Sequence, residues 1–126
     1  LGEALLAPTR IYVKPVLKLM ESVTVKGVSH ITGGGFYENI PRSIPEGLTA
    51  HIETGKLDVL PIFSLIEKQG GISRRDMFNT FNMGTGMCLT VAAGQADEAV
   101  RILNAAGEQA TIIGSIVEGD ERVQMA

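Results

Sequence analysis

Apolar positions recur along the chain at two periods, and the change from one period to the other marks its elements. Thr9 to Val13 is short and rich in β-branched or aromatic side chains, which predicts a brief extended segment. Pro15 suits the first turn of a helix, and Val16, Leu19, Met20 and Val23 follow at helical spacing as one buried stripe. Val25 to Ile31 alternates apolar and polar residues before Gly33-Gly34-Gly35 and predicts a strand. A loop rich in Pro and Gly leads to a second strand, Leu48 to Glu53. Val59, Ile62, Phe63 and Ile66 share a helix face, with Pro61 in the first turn and Gly70-Gly71 as the stop. Ser73 caps a shorter helix through Phe78, with Asp76 in a variant of the capping box. Met87, Leu89 and Val91 alternate in a strand entered from Gly84-Thr85-Gly86. Ala96, Ala99, Val100 and Leu103 make a helix face that ends at Gly107. Ala110 to Val117 and Arg122 to Met125 predict a terminal strand pair around Glu118-Gly119-Asp120.

The resulting order is β-α-β, β-α-α-β, α-β-β: an α+β domain in which one mixed sheet carries packed helices. At 126 residues, without repeats or linkers, the chain reads as a single domain. Apolar residues make up 44% of it and charged residues 20%, a globular rather than a disordered balance. It has no apolar run of the roughly 18 residues that would cross a bilayer, and no basic-then-apolar signal segment opens it. Cys88 is the only cysteine, which excludes intrachain disulfides and cysteine-cluster metal sites. The expectation is a soluble, cytoplasmic domain. The start at Leu1 within an apolar stretch (Ala4, Leu5, Leu6, Ala7) reads as one half of a larger protein rather than a trimmed precursor.

Charge is unevenly divided. Residues 1–45 hold five basic side chains against three acidic, a balance of +2, while residues 46–126 hold six against eleven, or −5. The net −3 argues against nucleic acid or an anionic membrane as a partner, yet an anionic ligand is better received by the first third. There, His30-Ile31-Thr32-Gly33-Gly34-Gly35-Phe36 follows a strand directly. Successive glycines can aim several N–H groups at one point as a nest for phosphate oxygens, with Thr32 adding a hydroxyl; they can equally form a plain tight turn. In Glu38-Asn39-Ile40-Pro41-Arg42, Arg42 can clamp phosphate and Asn39 can bond an amide or ribose oxygen, or the two can be a solvated charge and a turn former. Asn79, Asn82, Gly84 and Gly86 put polar groups and close-approach positions in an apolar setting between Phe78 and Met87, or equally make an ordinary loop whose asparagines tolerate a left-handed conformation. Arg10 and Tyr12 alternate with Ile11 and can meet a ligand, another domain or a plain ion-pair partner. His30 and His51 are far apart and lack metal-ligand spacing, Cys88 reads as a small buried hydrophobe, and no nucleophile elbow is present.

Taken together, these motifs carry a resemblance. Leu5-Leu6-Ala7-Pro8-Thr9-Arg10-Ile11-Tyr12, His30 to Gly35, Glu38 to Arg42, Thr80 to Met87 and Leu103 to Glu108 occur in an order and spacing similar to the C-terminal half of the phosphoribosylformylglycinamidine cyclo-ligase (aminoimidazole ribonucleotide synthetase) family, over essentially all 126 residues. The resemblance implies a three-layer α/β/α domain with a mixed sheet, partly ferredoxin-like. It implies a purine-biosynthesis reaction in which formylglycinamidine ribonucleotide and ATP become aminoimidazole ribonucleotide, ADP and phosphate. ATP phosphorylates the formyl oxygen and an amidine nitrogen closes the ring, chemistry that rests on positioning and charge stabilisation. It further implies a homodimer whose N-terminal half binds ATP and Mg²⁺. No such acidic motif is present in this chain, so it is expected to be inactive alone and to bind no metal itself. The resemblance assigns Thr32, Gly33, Gly34, Gly35, Asn39 and Arg42 to substrate or nucleotide phosphate, Asn82, Gly84 and Gly86 to the floor of the cleft, and Thr9 and Arg10 to the inter-domain surface; no general acid or base is implied. The competing expectations are a self-sufficient small-molecule sensor or oligomerisation module with a ferredoxin-like sheet, and a structural domain whose glycines serve turns only.

Overall fold

The two periodicities resolve into six α-helices and five strands, and the computed structural model describes every residue from 1 to 126. Helix α1 (Gly2–Leu5) is a single exposed turn. Thr9 to Tyr12 forms no strand, because no neighbouring strand offers it a ladder; Val13 instead opens helix α2 (Val13–Met20). Pro15 is third in that helix, within the first turn whose N–H groups have no intrahelical acceptor, so the helix can begin ahead of it. The expected single stripe on α2 divides in two. Leu19 and Val23 are buried, while Val16 is half-buried and Met20 exposed on a neighbouring face.

Strand β1 (Val25–His30) pairs antiparallel with β3 (Met87–Val91) as a two-stranded ribbon, with a bulge between Val25 and Gly27. Helices pack on both of its faces. Leu19 and Val23 join Ala99 and Ile102 of helix α6 (Ala96–Ala105) in a buried cluster against Val25, Leu89 and Val91. Of the expected face of α6, Ala99 is buried and Leu103 packs against the cluster, and Ile102, outside that expectation, is buried beside them. On the other face, helix α3 (Gly35–Asn39) runs into a 3-10 turn, Ile40–Ser43. Ser29 and Ser43 share a hydroxyl hydrogen bond of 2.6 Å there, and a Cβ on Gly27 would lie 2.7 Å from the Ser43 carbonyl oxygen.

The remaining strands form a separate mixed sheet, so the strands expected in one sheet are shared between two. Strand β2 (Leu48–Ile52) lies at the centre, antiparallel to β4 (Gly114–Glu118) and parallel to β5 (Val123–Met125). The expected hairpin between the last two strands is thereby corrected. After β4 the chain crosses the end of β2 and descends on its far side, held by Gly119 N–H to Gly47 carbonyl, Thr49 Oγ1 to Glu121 carbonyl and Ala50 N–H to Arg122 carbonyl. β4 also starts later than expected, because the Asn104 side chain accepts the Ala110 N–H at 2.7 Å and donates to its carbonyl.

Helix α4 (Pro61–Gly70) stops at Gly71, which is left-handed at φ +59°. Helix α5 (Arg74–Thr80) carries the expected cap, with Ser73 Oγ accepting the Asp76 N–H at 3.1 Å. Phe36, Ile52, Met77, Phe78, Met83 and Val123 are among the buried residues that join these helices to the three-stranded sheet, and Val59, Phe63 and Ile66 pack against them. Helices with mixed and antiparallel sheets make this an α+β fold.

Candidate functional site

β1 ends at His30, and the buried Ile31 donates its N–H to the Gly86 carbonyl at 2.9 Å. That bond pins the start of one glycine-rich segment to the other. Gly34 and Gly35 then take left-handed angles, φ +104° and +58°. A Cβ at Gly35 would sit 2.0 Å from the Phe78 carbonyl oxygen and 3.0 Å from that of Phe81, so only glycine lets this turn seat on the end of α5. The two motif stretches distinguished separately in the sequence thus form one corner of the molecule.

Most donors in this turn are spent inside it. Thr32 N–H and Thr32 Oγ1 both donate to Asn39 Oδ1, at 3.2 and 3.1 Å, and Asn39 Nδ2 donates to the Gly33 carbonyl at 3.3 Å. Gly35 N–H returns to the Thr32 carbonyl at 3.0 Å, and Glu38 N–H to that of Gly34 at 3.2 Å. Asn39, 4% exposed, clasps the loop through its side chain. The N–H groups of Gly33 and Gly34 have no acceptor in the chain, and Gly33 is exposed. Helix α3, only five residues long, adds little dipole to them. Arg42 is exposed and makes no hydrogen bond or ion pair within the chain. Asn82 Oδ1 accepts the Gly84 N–H at 3.0 Å, and Met83 between them is held left-handed at φ +55° with its side chain 1% exposed. Asn82 therefore shapes the second loop as Asn39 shapes the first.

Arg10 ties the segment before α2 to the end of α6, through Glu108 at 2.7 Å and the Gly107 carbonyl at 2.8 Å, while Thr9 is exposed. Tyr12 sets its ring edge-on to His30, centroids 6.2 Å apart, and lies over Gly86. Burial, then the Glu108 carboxylate, raises its phenol above the ordinary value, so it is protonated at neutral pH. Beside this segment runs a shallow groove of about 390 Å³ between α2 and β1. Ile11 (80% exposed), Val13, Leu17, Met20 and Val28 line it, an apolar face with nothing packed over it. The periodicity of α2 holds that signal, since Val13, Val16, Leu17 and Met20 form a second stripe beside Leu19 and Val23. Arg122 was a further omission of the sequence reading: its guanidinium donates to the carbonyls of Pro41, Ile44 and Pro45 at 2.7–2.8 Å and fixes the loop after Arg42.

His51 lies in β2 opposite Ser115, away from His30 at the end of the other sheet. No three His, Cys, Asp or Glu side chains gather as a metal site. The Cys88 thiol faces the core, where burial pushes it up to about 12.

All 126 residues match the family described as "AIR synthase related protein, C-terminal domain". The chain belongs to that family. As an AIR synthase-related C-terminal domain it is similar to curated bacterial proteins named phosphoribosylformylglycinamidine cyclo-ligase. It is 53% identical over 120 residues to that of Caldicellulosiruptor saccharolyticus, covering 95% of this chain and 35% of the relative. Identity is 50% over 123 residues to that of Alkaliphilus oremlandii, covering 98% and 36%. For the Bacillus cereus G9842 protein it is 53% over 119 residues, covering 94% and 34%. The chain thus spans about a third of the length of the curated relatives it matches. No helix is long and apolar enough to cross a membrane.

Proposed function

We propose that this AIR synthase-related domain is the phosphate-holding part of a cytoplasmic phosphoribosylformylglycinamidine cyclo-ligase, which makes aminoimidazole ribonucleotide, ADP and phosphate from formylglycinamidine ribonucleotide and ATP. One observation carries the reading: three of the stretches that resemble the cyclo-ligases, His30 to Gly35, Glu38 to Arg42 and Thr80 to Met87, meet at the glycine corner, and the corner leaves the Gly33 and Gly34 N–H groups without internal acceptors. Amides of this kind receive phosphate oxygens, and the fixed turn spares their reorganisation when charge develops. Arg42, unpaired in the chain, adds a bidentate cation at the rim. Thr32 and Asn39 keep the turn in shape, Gly35 and Gly86 allow the close approaches, and Asn82 with Gly84 shapes the supporting loop.

The chain gathers no three His, Cys, Asp or Glu side chains that could hold Mg²⁺. Its residues position and stabilise charge; none is placed to act as general acid or base. The rest of the relatives' length supplies the ATP and Mg²⁺ groups and the homodimer contacts, and covers the apolar groove and the Arg10 segment. Mixing this chain with that remaining part, with formylglycinamidine ribonucleotide and ATP present, restores turnover that neither has alone; turnover by the chain alone overturns the division of labour. Gly33→Ala is the discriminating variant. A Cβ there meets nothing within 4 Å, so stability stays within about 0.5 kcal/mol while affinity for the ribonucleotide falls about tenfold. Unchanged affinity removes phosphate from the corner.

A further inference from the structure

We infer that Tyr12 is a positioning residue: its ring, seated on Gly86 and against His30, holds the glycine corner in shape and couples it to the apolar groove. The inference deepens the proposed function and rests on it for the ligand, though not for the coupling itself. Tyr12 is fixed from both sides. Its carbonyl accepts the Val16 N–H at 3.1 Å in the first turn of α2, and two residues earlier Arg10 is bound to Gly107 and Glu108. Between these anchors the ring has little freedom, and it falls where a side chain on residue 86 would otherwise be. A Cβ at Gly86 would lie 1.9 Å from the Tyr12 hydroxyl oxygen and 2.8 Å from Cζ.

What the ring presses on is the junction of the two loops. The Gly86 carbonyl accepts the Ile31 N–H, His30 is paired with Met87 across the ribbon, and Thr32 to Gly35 follow at once. Tyr12 and His30 also belong to the groove wall, alongside Val13 and Leu17. A body docking on the groove therefore bears on the ring, and through it on the turn that presents the Gly33 and Gly34 amides. The hydroxyl makes no hydrogen bond in the chain, so the ring is the acting part.

Tyr12→Ala and Tyr12→Phe test this by two readouts. Amide hydrogen exchange on the 126-residue chain is expected to speed up at least tenfold at Ile31, Thr32 and Gly35, whose N–H groups are bonded within the corner, in Tyr12→Ala, with β2 amides unchanged, and to stay within threefold in Tyr12→Phe. In the cyclo-ligase reassembled with the rest of the relatives' length, Tyr12→Ala is expected to raise KM for the ribonucleotide about tenfold with kcat within twofold, and Tyr12→Phe to bring KM back. Unchanged exchange at the corner in Tyr12→Ala overturns the coupling. A KM effect of Tyr12→Phe as large as that of Tyr12→Ala also overturns it, because the hydroxyl would then be a direct ligand contact. If the unsubstituted reassembled protein does not turn over while the exchange result holds, the coupling stands and the reaction assigned to the chain fails.

Discussion

The two ends of this molecule use their polar groups in opposite ways. Around the three-stranded sheet polar groups are spent at home: Arg122 binds three carbonyls, Thr49 bonds across to Glu121, and Thr54 donates to the Ala126 carbonyl. At the ribbon end, backbone is held in left-handed angles at Gly34, Gly35, Met83 and Gly84, two glycine amides and Arg42 lack partners, and an apolar groove lies open. On the proposed function, these unspent donors are the ones that meet a ligand from outside the chain, and the strained Met83 backbone lies beside them.

The sharpest way to break the contrast is Gly35→Ala. It puts a Cβ on the Phe78 carbonyl at a left-handed position, and about 3 kcal/mol or more of stability is expected to be lost in urea melts. A smaller loss would mean that the corner yields and is not rigid. Arg122→Met strips three carbonyls of their donor, for an expected loss of about 2–3 kcal/mol in the same melts. A loss under about 1 kcal/mol would mean that water replaces the guanidinium there.

Alkaline melts come next. The folded chain holds the Cys88 proton more tightly than the unfolded chain does, so above pH 9 unfolding releases it. Stability then falls by at most about 1.4 kcal/mol per pH unit toward 12. The raised Tyr12 phenol acts in the same direction. Cys88→Ala flattens the slope, measured against the unsubstituted chain. The smallest effect on stability is expected at the groove: Leu17→Gln stays within about 0.5 kcal/mol, yet weakens association with the rest of the cyclo-ligase in sedimentation.

What the sequence disclosed follows the same division. Local rules were enough for the Ser73 cap, the stop at Gly71, the alternation in β1 and the place of β3, though not for its alternation, since all five β3 residues are half-buried. They could not choose the side of β2 that β5 would take. Hairpin and crossover differ only through Thr49, Gly119 and Arg122, contacts that join residues such as 49 and 121 across the length of the chain. The glycine corner was visible as composition, but not as an arrangement. Thr32 and Asn39 are residue types that serve a ligand or each other equally well, and only the fold brings Oδ1 of one to the N–H of the other. For the same reason a Gly34→Val substitution would report on packing rather than on a ligand: its Cβ alone would lie within 2.9 Å of Glu38 and Asn39.

The crossing of β4 and β5 over β2 also sets a timetable. β2 is made well before either of its neighbours and has no partner on either side until β4 and β5 follow. Its bare edges must wait through the whole of α4 to α6, exposed to any other extended segment nearby. Assembly of this sheet therefore waits until β5 has emerged, and a chaperone has the most to contribute in the interval before it does.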